Sequence, residues 1–212
     1  MKRSISRIIA VLCALVLCSC TFPVYAAECN NAIILFQESV EEDVKEADAR
    51  PVMPDKGAVA TRAEQGTYPR RKGVILVTPN NDSSFGLEIV GHAAIIYSYG
   101  TVVEALGSDG VVTGENDWDR DKPKCYGVTV DDTTEAEDAQ VADWCYGKIG
   151  CGYNFNFLNV ETRSKFYCSQ LIWAGYLDLF DIDLNTSELG KIIKPMELVN
   201  NSKTTILYMN EK

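Results

Sequence analysis

Histidine is nearly absent from this chain: one residue, His92, in 212. A zinc site built on several imidazoles is thereby excluded, and any imidazole chemistry must pass through that one ring. Cysteine is not scarce, at eight residues, but none stands in a C-x-x-C pair, so the usual spacing of a structural zinc site is missing too. Positive charge is also short. With 20 basic against 30 acidic residues, a formal charge of −10 and a pI near 4.6, the chain lacks the field needed to neutralise phosphates, and no nucleic-acid partner is expected. No internal repeat is visible. What remains is 46% hydrophobic and 24% charged, enough for one core and short for two.

The first 26 residues read as a targeting segment. Lys2, Arg3 and Arg7 precede an apolar stretch, Ile8 to Cys18, too short for a comfortable bilayer span, and Val24-Tyr25-Ala26 supplies a small-x-small cleavage site. A second reading stays open, because Leu17-Cys18-Ser19-Cys20 resembles a lipobox in which Cys20 becomes a lipid anchor. The chain is therefore expected to be secreted or held at the cell envelope, touching a membrane only through the signal or that anchor. Either cut removes three basic residues and no acid, leaving 17 basic and 30 acidic residues and a charge of −13.

Cys29, Cys125, Cys145, Cys151 and Cys168 then remain. Five is odd, and outside the cytosol an unpaired cysteine invites reading as a reactive thiol. The alternative is that all five are small buried hydrophobes. Cys145 and Cys151 are near enough in sequence to close a small loop.

From residue 27 to residue 72 the sequence is poor in core residues and rich in acids and breakers, which predicts a solvated acidic linker or pro-like arm with one short acidic helix. The globular domain is expected over 73–212. Gly73 to Thr78 reads as a buried strand stopped by Pro79. His92 to Tyr97 and Thr101 to Leu106 flank Ser98-Tyr99-Gly100, the form of a three-residue hairpin loop with glycine in the left-handed position. In that register Tyr97 faces Thr101 and Glu104 lies opposite Ala94, on the same face as His92 and roughly 6 to 8 Å away between backbones. Cys125 to Val130 is a further strand. Thr134-Glu-Ala-Glu137 is a capping box opening a helix that Gly147 and Gly150 end, and a strongly apolar helix begins at Cys168. A short helix after Pro195 and a strand from Thr204 close the chain.

A thiol at a helix N-terminus gains from the free amides and the dipole, and an adjacent imidazolium lowers its pKa further. Cys168 is placed for the first of these. His92 would serve as its base if a third group holds the ring, and hairpin parity puts Glu104 there. Each residue alone has a plainer explanation in packing or solvation; the conjunction points to chemistry.

The order Gly73-Val-Ile-Leu-Val-Thr, Gly91-His92-Ala-Ala-Ile-Ile-Tyr, Val103-Glu104-Ala105, Tyr153-Asn154 and Phe166-Tyr167-Cys168-Ser169-Gln170-Leu171-Ile172-Trp173 resembles the circularly permuted papain-like amidases and cysteine peptidases of the NlpC-type superfamily, YaeF/YiiX-like members included. The resemblance covers about residues 70–210. It implies an α+β domain with an antiparallel sheet packed against helices, Cys168 as nucleophile, His92 as general base and acid, Glu104 as the residue orienting the ring, and Tyr167, Tyr153 and Asn154 at the substrate. Asn154 stands where Asp is frequent and Gln170 where Glu is common.

The activity so implied is hydrolysis of an amide, of peptide or cell-wall type, through a thioacyl intermediate, by a monomer that needs no metal or organic cofactor. Two alternatives remain: a lipid acyltransferase or thioesterase on the same fold, and an exported non-catalytic binding module. The aromatic run Tyr153 to Phe157 would line a pocket or fill core. A strongly anionic substrate is disfavoured unless Arg70-Arg71-Lys72 forms a local basic patch.

Overall fold

The computed structural model describes residues 39–56, 66–80 and 91–212. The expected targeting segment at 1–26, Cys20 and Cys29 lie outside the described residues. Helical residues 39–49 form α1. There follow β1 (Ile75–Thr78), β2 (His92–Ser98), β3 (Thr101–Leu106), β4 (Gly110–Glu115), α2 (Trp118–Asp121), β5 (Lys124–Val130), α3 (Glu135–Tyr146), β6 (Gly152–Tyr153), β7 (Lys165–Phe166), α4 (Cys168–Phe180), α5 (Glu197–Asn200) and β8 (Thr204–Glu211). Six strands make one sheet in the order β4-β3-β2-β1-β5-β8, every neighbouring pair antiparallel, and β6 and β7 form a small parallel pair. The class is α+β, with the sheet packed against helices.

Both faces of the sheet are covered, which is why β1 reads as an unbroken apolar run rather than an alternating one. Ile75 and Val77 join Ala93, Ile95 and Val103 under α3 and α4, where Val141, Ala142, Leu171, Ile172 and Tyr176 complete the main core. Val74 and Leu76 face the other way, toward Ala94, Ile96, Val102, Trp118 and Leu207. Each fully buried aliphatic side chain of this kind contributes about 1.5–3 kcal/mol.

The capping box at Thr134 forms as expected: the Thr134 N–H donates to Glu137 Oε2 at 2.7 Å and the Glu137 N–H donates back to Thr134 Oγ1 at 3.3 Å. One turn on, Asp138 is fully buried and accepts from Thr129, Thr133, Tyr176, Arg71 and Lys56. Five donors on one carboxylate fasten α3 to β5, to α4 and to the segments before β1.

Three expectations change. The β2–β3 hairpin keeps Ala94 opposite Glu104, but its turn is Tyr99-Gly100, with Ser98 facing Thr101 and the register shifting between Ile96 and Ser98. Gly100 is not in the left-handed region; a bulge at Tyr97 absorbs the extra residue instead. The solvated character expected of the acidic arm holds for only part of residues 39–56, where Asp43, Ala47 and Val52 are buried. Ala47 and Val52 are core residues, Val52 forms a parallel bridge with Ile206, and the Met53 N–H donates to the Ile206 carbonyl at 2.8 Å. Two acids of α1 find specific partners: Asp43 meets buried Lys194 at 2.7 Å and Asp48 meets Lys124 at 2.6 Å. Finally, Arg70-Arg71-Lys72 offers no free basic patch, because Asp119, Asp55 with Asp138, and Asp143 pair with the three in turn.

Candidate active site

Gly91 controls the entry to β2. It sits at φ +75°, and a Cβ there would lie 2.5 Å from the Thr78 carbonyl oxygen, so glycine alone brings the chain past the end of β1 without strain. His92 follows, paired with Thr78 at the limit of the β1–β2 ladder and only 7% exposed. Its Nε2 lies 2.7 Å from Glu104 Oε2. The contact is the diagonal one that a strand's two-residue period requires when Glu104 stands opposite Ala94. With Nε2 committed to the carboxylate, Nδ1 is the nitrogen left for the thiol. Trp118 covers the ring, with centroids 5.6 Å apart and planes at 27°.

Cys168 is the first residue of α4, and 8% of its surface reaches solvent. Burial alone would push its thiol up. Hydrogen bonding and charge from His92, then the backbone N–H groups of Ala93 and Ser169, outweigh burial and hold the thiol below its ordinary range. The Ala93 amide is available because the β2–β3 ladder ends at the Ala94–Glu104 pair. For His92, burial opposes the charged ring, yet the hydrogen bonds and charges of Cys168 and Glu104 prevail and raise its pKa to about 9. The charged form of each group thus favours the charged form of the other. Cys125 and Cys145 are pushed up by burial instead. No disulfide joins Cys125, Cys145, Cys151 and Cys168, and the Cys145–Cys151 loop closure does not form.

Tyr167 and Asn154 have their polar atoms occupied inside the protein. The Tyr167 hydroxyl accepts the Ile193 N–H at 3.1 Å. Asn154 Nδ2 donates to the Asn159 carbonyl at 3.0 Å and to Gln170 Oε1 at 2.9 Å, while its Oδ1 accepts the Asn156 N–H. Gln170 also accepts the Tyr167 N–H and donates to the Val160 carbonyl. This network fastens loop 154–160 to the first turn of α4. Tyr153 is half-buried, its ring 4.8 Å from that of half-exposed Phe155. Trp118 and the Ala93 amide were not foreseen: nothing in the local sequence of a four-residue helix announces a histidine neighbour, and a backbone donor leaves no residue signature.

No family model matches the chain. Among solved structures, the crystal structure of metalloprotein yiiX from Escherichia coli O157:H7 superposes on 69% of this chain and 100% of that one, with TM-score 0.52 and 14% identity. The chain has a yiiX-like fold. Uncharacterized protein YycO of Bacillus subtilis strain 168 is 28% identical over 120 residues, which cover 55% of this chain and 48% of that protein, so the match spans about half of the curated relative. The yiiX structure is described as that of a metalloprotein. Among the described residues, no group of three or more His, Cys, Asp or Glu side chains could hold an ion, and the sole imidazole is engaged by Glu104 and Cys168.

Proposed function

We propose that this chain is an exported cysteine hydrolase that cleaves an amide bond of peptide or cell-wall type. The carrying observation is the 2.7 Å bond between His92 and Glu104 beside a thiol whose pKa is lowered at the first turn of a helix. Export is supported by the N-terminal basic, apolar and small-x-small segments that end at Ala26.

In this reading the Cys168 thiolate attacks the carbonyl carbon. The oxyanion is held by backbone N–H groups at the start of α4 and at Ala93. His92 gives its Nδ1 proton to the leaving nitrogen, the C–N bond breaks, and the amine departs, leaving a thioester on Cys168. His92, now neutral, takes a proton from water as the water attacks the thioester; the acid leaves and the imidazolium–thiolate pair is restored. Glu104 keeps Nε2 protonated and so leaves Nδ1 to do the work.

A second reading, transfer or hydrolysis of acyl chains, is favoured by half-exposed Phe155 and Leu158 on the loop next to the thiol. The test is a substrate panel of peptide amides, muropeptides and acyl thioesters with wild type, Cys168→Ala and His92→Ala. Turnover of an amide that both variants lose supports the main reading. Turnover confined to acyl thioesters moves the assignment to the second. Full activity in Cys168→Ala, or an inert native thiol, overturns both.

A further inference from the structure

We infer that Gly114 is a positioning residue of this site: its missing side chain leaves the space through which the Glu104 carboxylate reaches His92. The inference rests on the proposed role of Glu104. Gly114 lies in β4 opposite Val102, while Glu104 lies opposite Val112, so Gly114, Val112, Val102 and Glu104 share one face of the sheet. A Cβ built on Gly114 would overlap Glu104 Oε1, and would stand 3.2 Å from Glu104 Cδ and 3.3 Å from Val102 Cγ2. The two carboxylate oxygens are thus divided: Oε2 meets the imidazole and Oε1 fills the place where any other residue at 114 would carry its first carbon.

Backbone conformation does not account for this glycine. It is not among the positive-φ residues, and an extended strand position ordinarily disfavours glycine. Space accounts for it. The obstacle that an added methyl would meet is the end of a flexible side chain, so the carboxylate would yield before the backbone did, swinging away from Nε2. Substitution should therefore act on the histidine rather than on the fold. Groups facing that ring are Glu104, Cys168 and Trp118, and of these Glu104 supplies the atoms nearest to the space at Gly114.

A single histidine makes the test direct, because the imidazole NMR signals of the whole protein titrate as one residue. The titration is followed in wild type, Gly114→Ala, Glu104→Gln, Glu104→Ala with and without Gly114→Ala, and Gly100→Ala as a control whose Cβ would meet nothing within 4 Å. Gly114→Ala is expected to lower the His92 pKa in the direction of Glu104→Gln, and to reduce kcat about tenfold to a hundredfold with KM little changed. Gly114→Ala combined with Glu104→Ala should titrate like Glu104→Ala alone, because the side chain through which the glycine acts is gone. An unshifted His92 in Gly114→Ala, with Glu104→Gln shifted, overturns the inference and leaves the proposed triad standing. A further shift on adding Gly114→Ala to Glu104→Ala also overturns it, since the glycine would then act by another route. An unshifted His92 in Glu104→Gln overturns the role of Glu104 itself.

Discussion

The indole of Trp118 lies nearly parallel to the imidazole of His92, with centroids 5.6 Å apart. An imidazolium quenches an indole that it touches by accepting charge from the excited ring. Tryptophan emission should therefore rise as pH passes through about 9, where His92 loses its proton, and His92→Gln should remove that step. A flat profile in the native protein would contradict the stacked, charged ring. Because the folded pKa is raised from 6.5 to about 9, the ring's contribution to stability is fully present below pH 6.5 and is lost as pH rises through about 9.

The lowered pKa of Cys168 predicts selective chemistry. Iodoacetamide should label Cys168 at pH 6 to 7 well before Cys125 or Cys145, which burial keeps protonated. His92→Ala should slow that labelling about tenfold or more, because the thiolate loses its strongest partner. Mass spectrometry of tryptic peptides reads both.

Tyr167 and Ser169 grip the Ile193 peptide from both sides, the hydroxyl of the first accepting its N–H at 3.1 Å and the hydroxyl of the second donating to its carbonyl at 2.7 Å. Tyr167→Phe leaves a buried N–H unpaired and should destabilise the fold by about 1–3 kcal/mol in urea unfolding. Ser169→Ala should cost a similar amount. Both should also blunt the proposed hydrolysis, since they loosen the turn that carries the thiol.

Lys194, 3% exposed, holds Asp43 of α1 and Glu188 at 2.7 Å each. Lys194→Ala leaves two carboxylates facing one another and should cost about 3 kcal/mol. Limited proteolysis should then cut within residues 39–56 before the domain itself is attacked.

Much of the site was legible in the sequence because strand parity is a strict rule. Once His92 and Glu104 were placed on adjacent strands, a two-residue period and the opposition of Ala94 to Glu104 put both side chains on one face, and the bulge at Tyr97 lies too near the turn to disturb them. The capping box at Thr134 and the helix from Cys168 were readable for the same local reason. What escaped were features of tertiary placement. The acids of α1 look solvated in sequence, and only the arrival of Lys194 from far along the chain gives Asp43 a place inside. β4 was missed because Gly110 and Gly114 break the look of a strand. The internal hydrogen bonds of Asn154 and Tyr167 also escaped, because sequence does not reveal which partners their polar atoms find in the fold.

The bridge between Val52 and Ile206 has a consequence for how copies of this protein behave toward one another. β8 ends the six-stranded sheet, and a bare terminal strand is a template on which another chain can add. The short segment at Val52 and Met53 occupies part of that row of backbone groups. Val52 and Met53 therefore cover part of an edge that would otherwise stand open, and a protein clipped beyond Met53 should keep its thiol and histidine while becoming prone to assemble edge to edge.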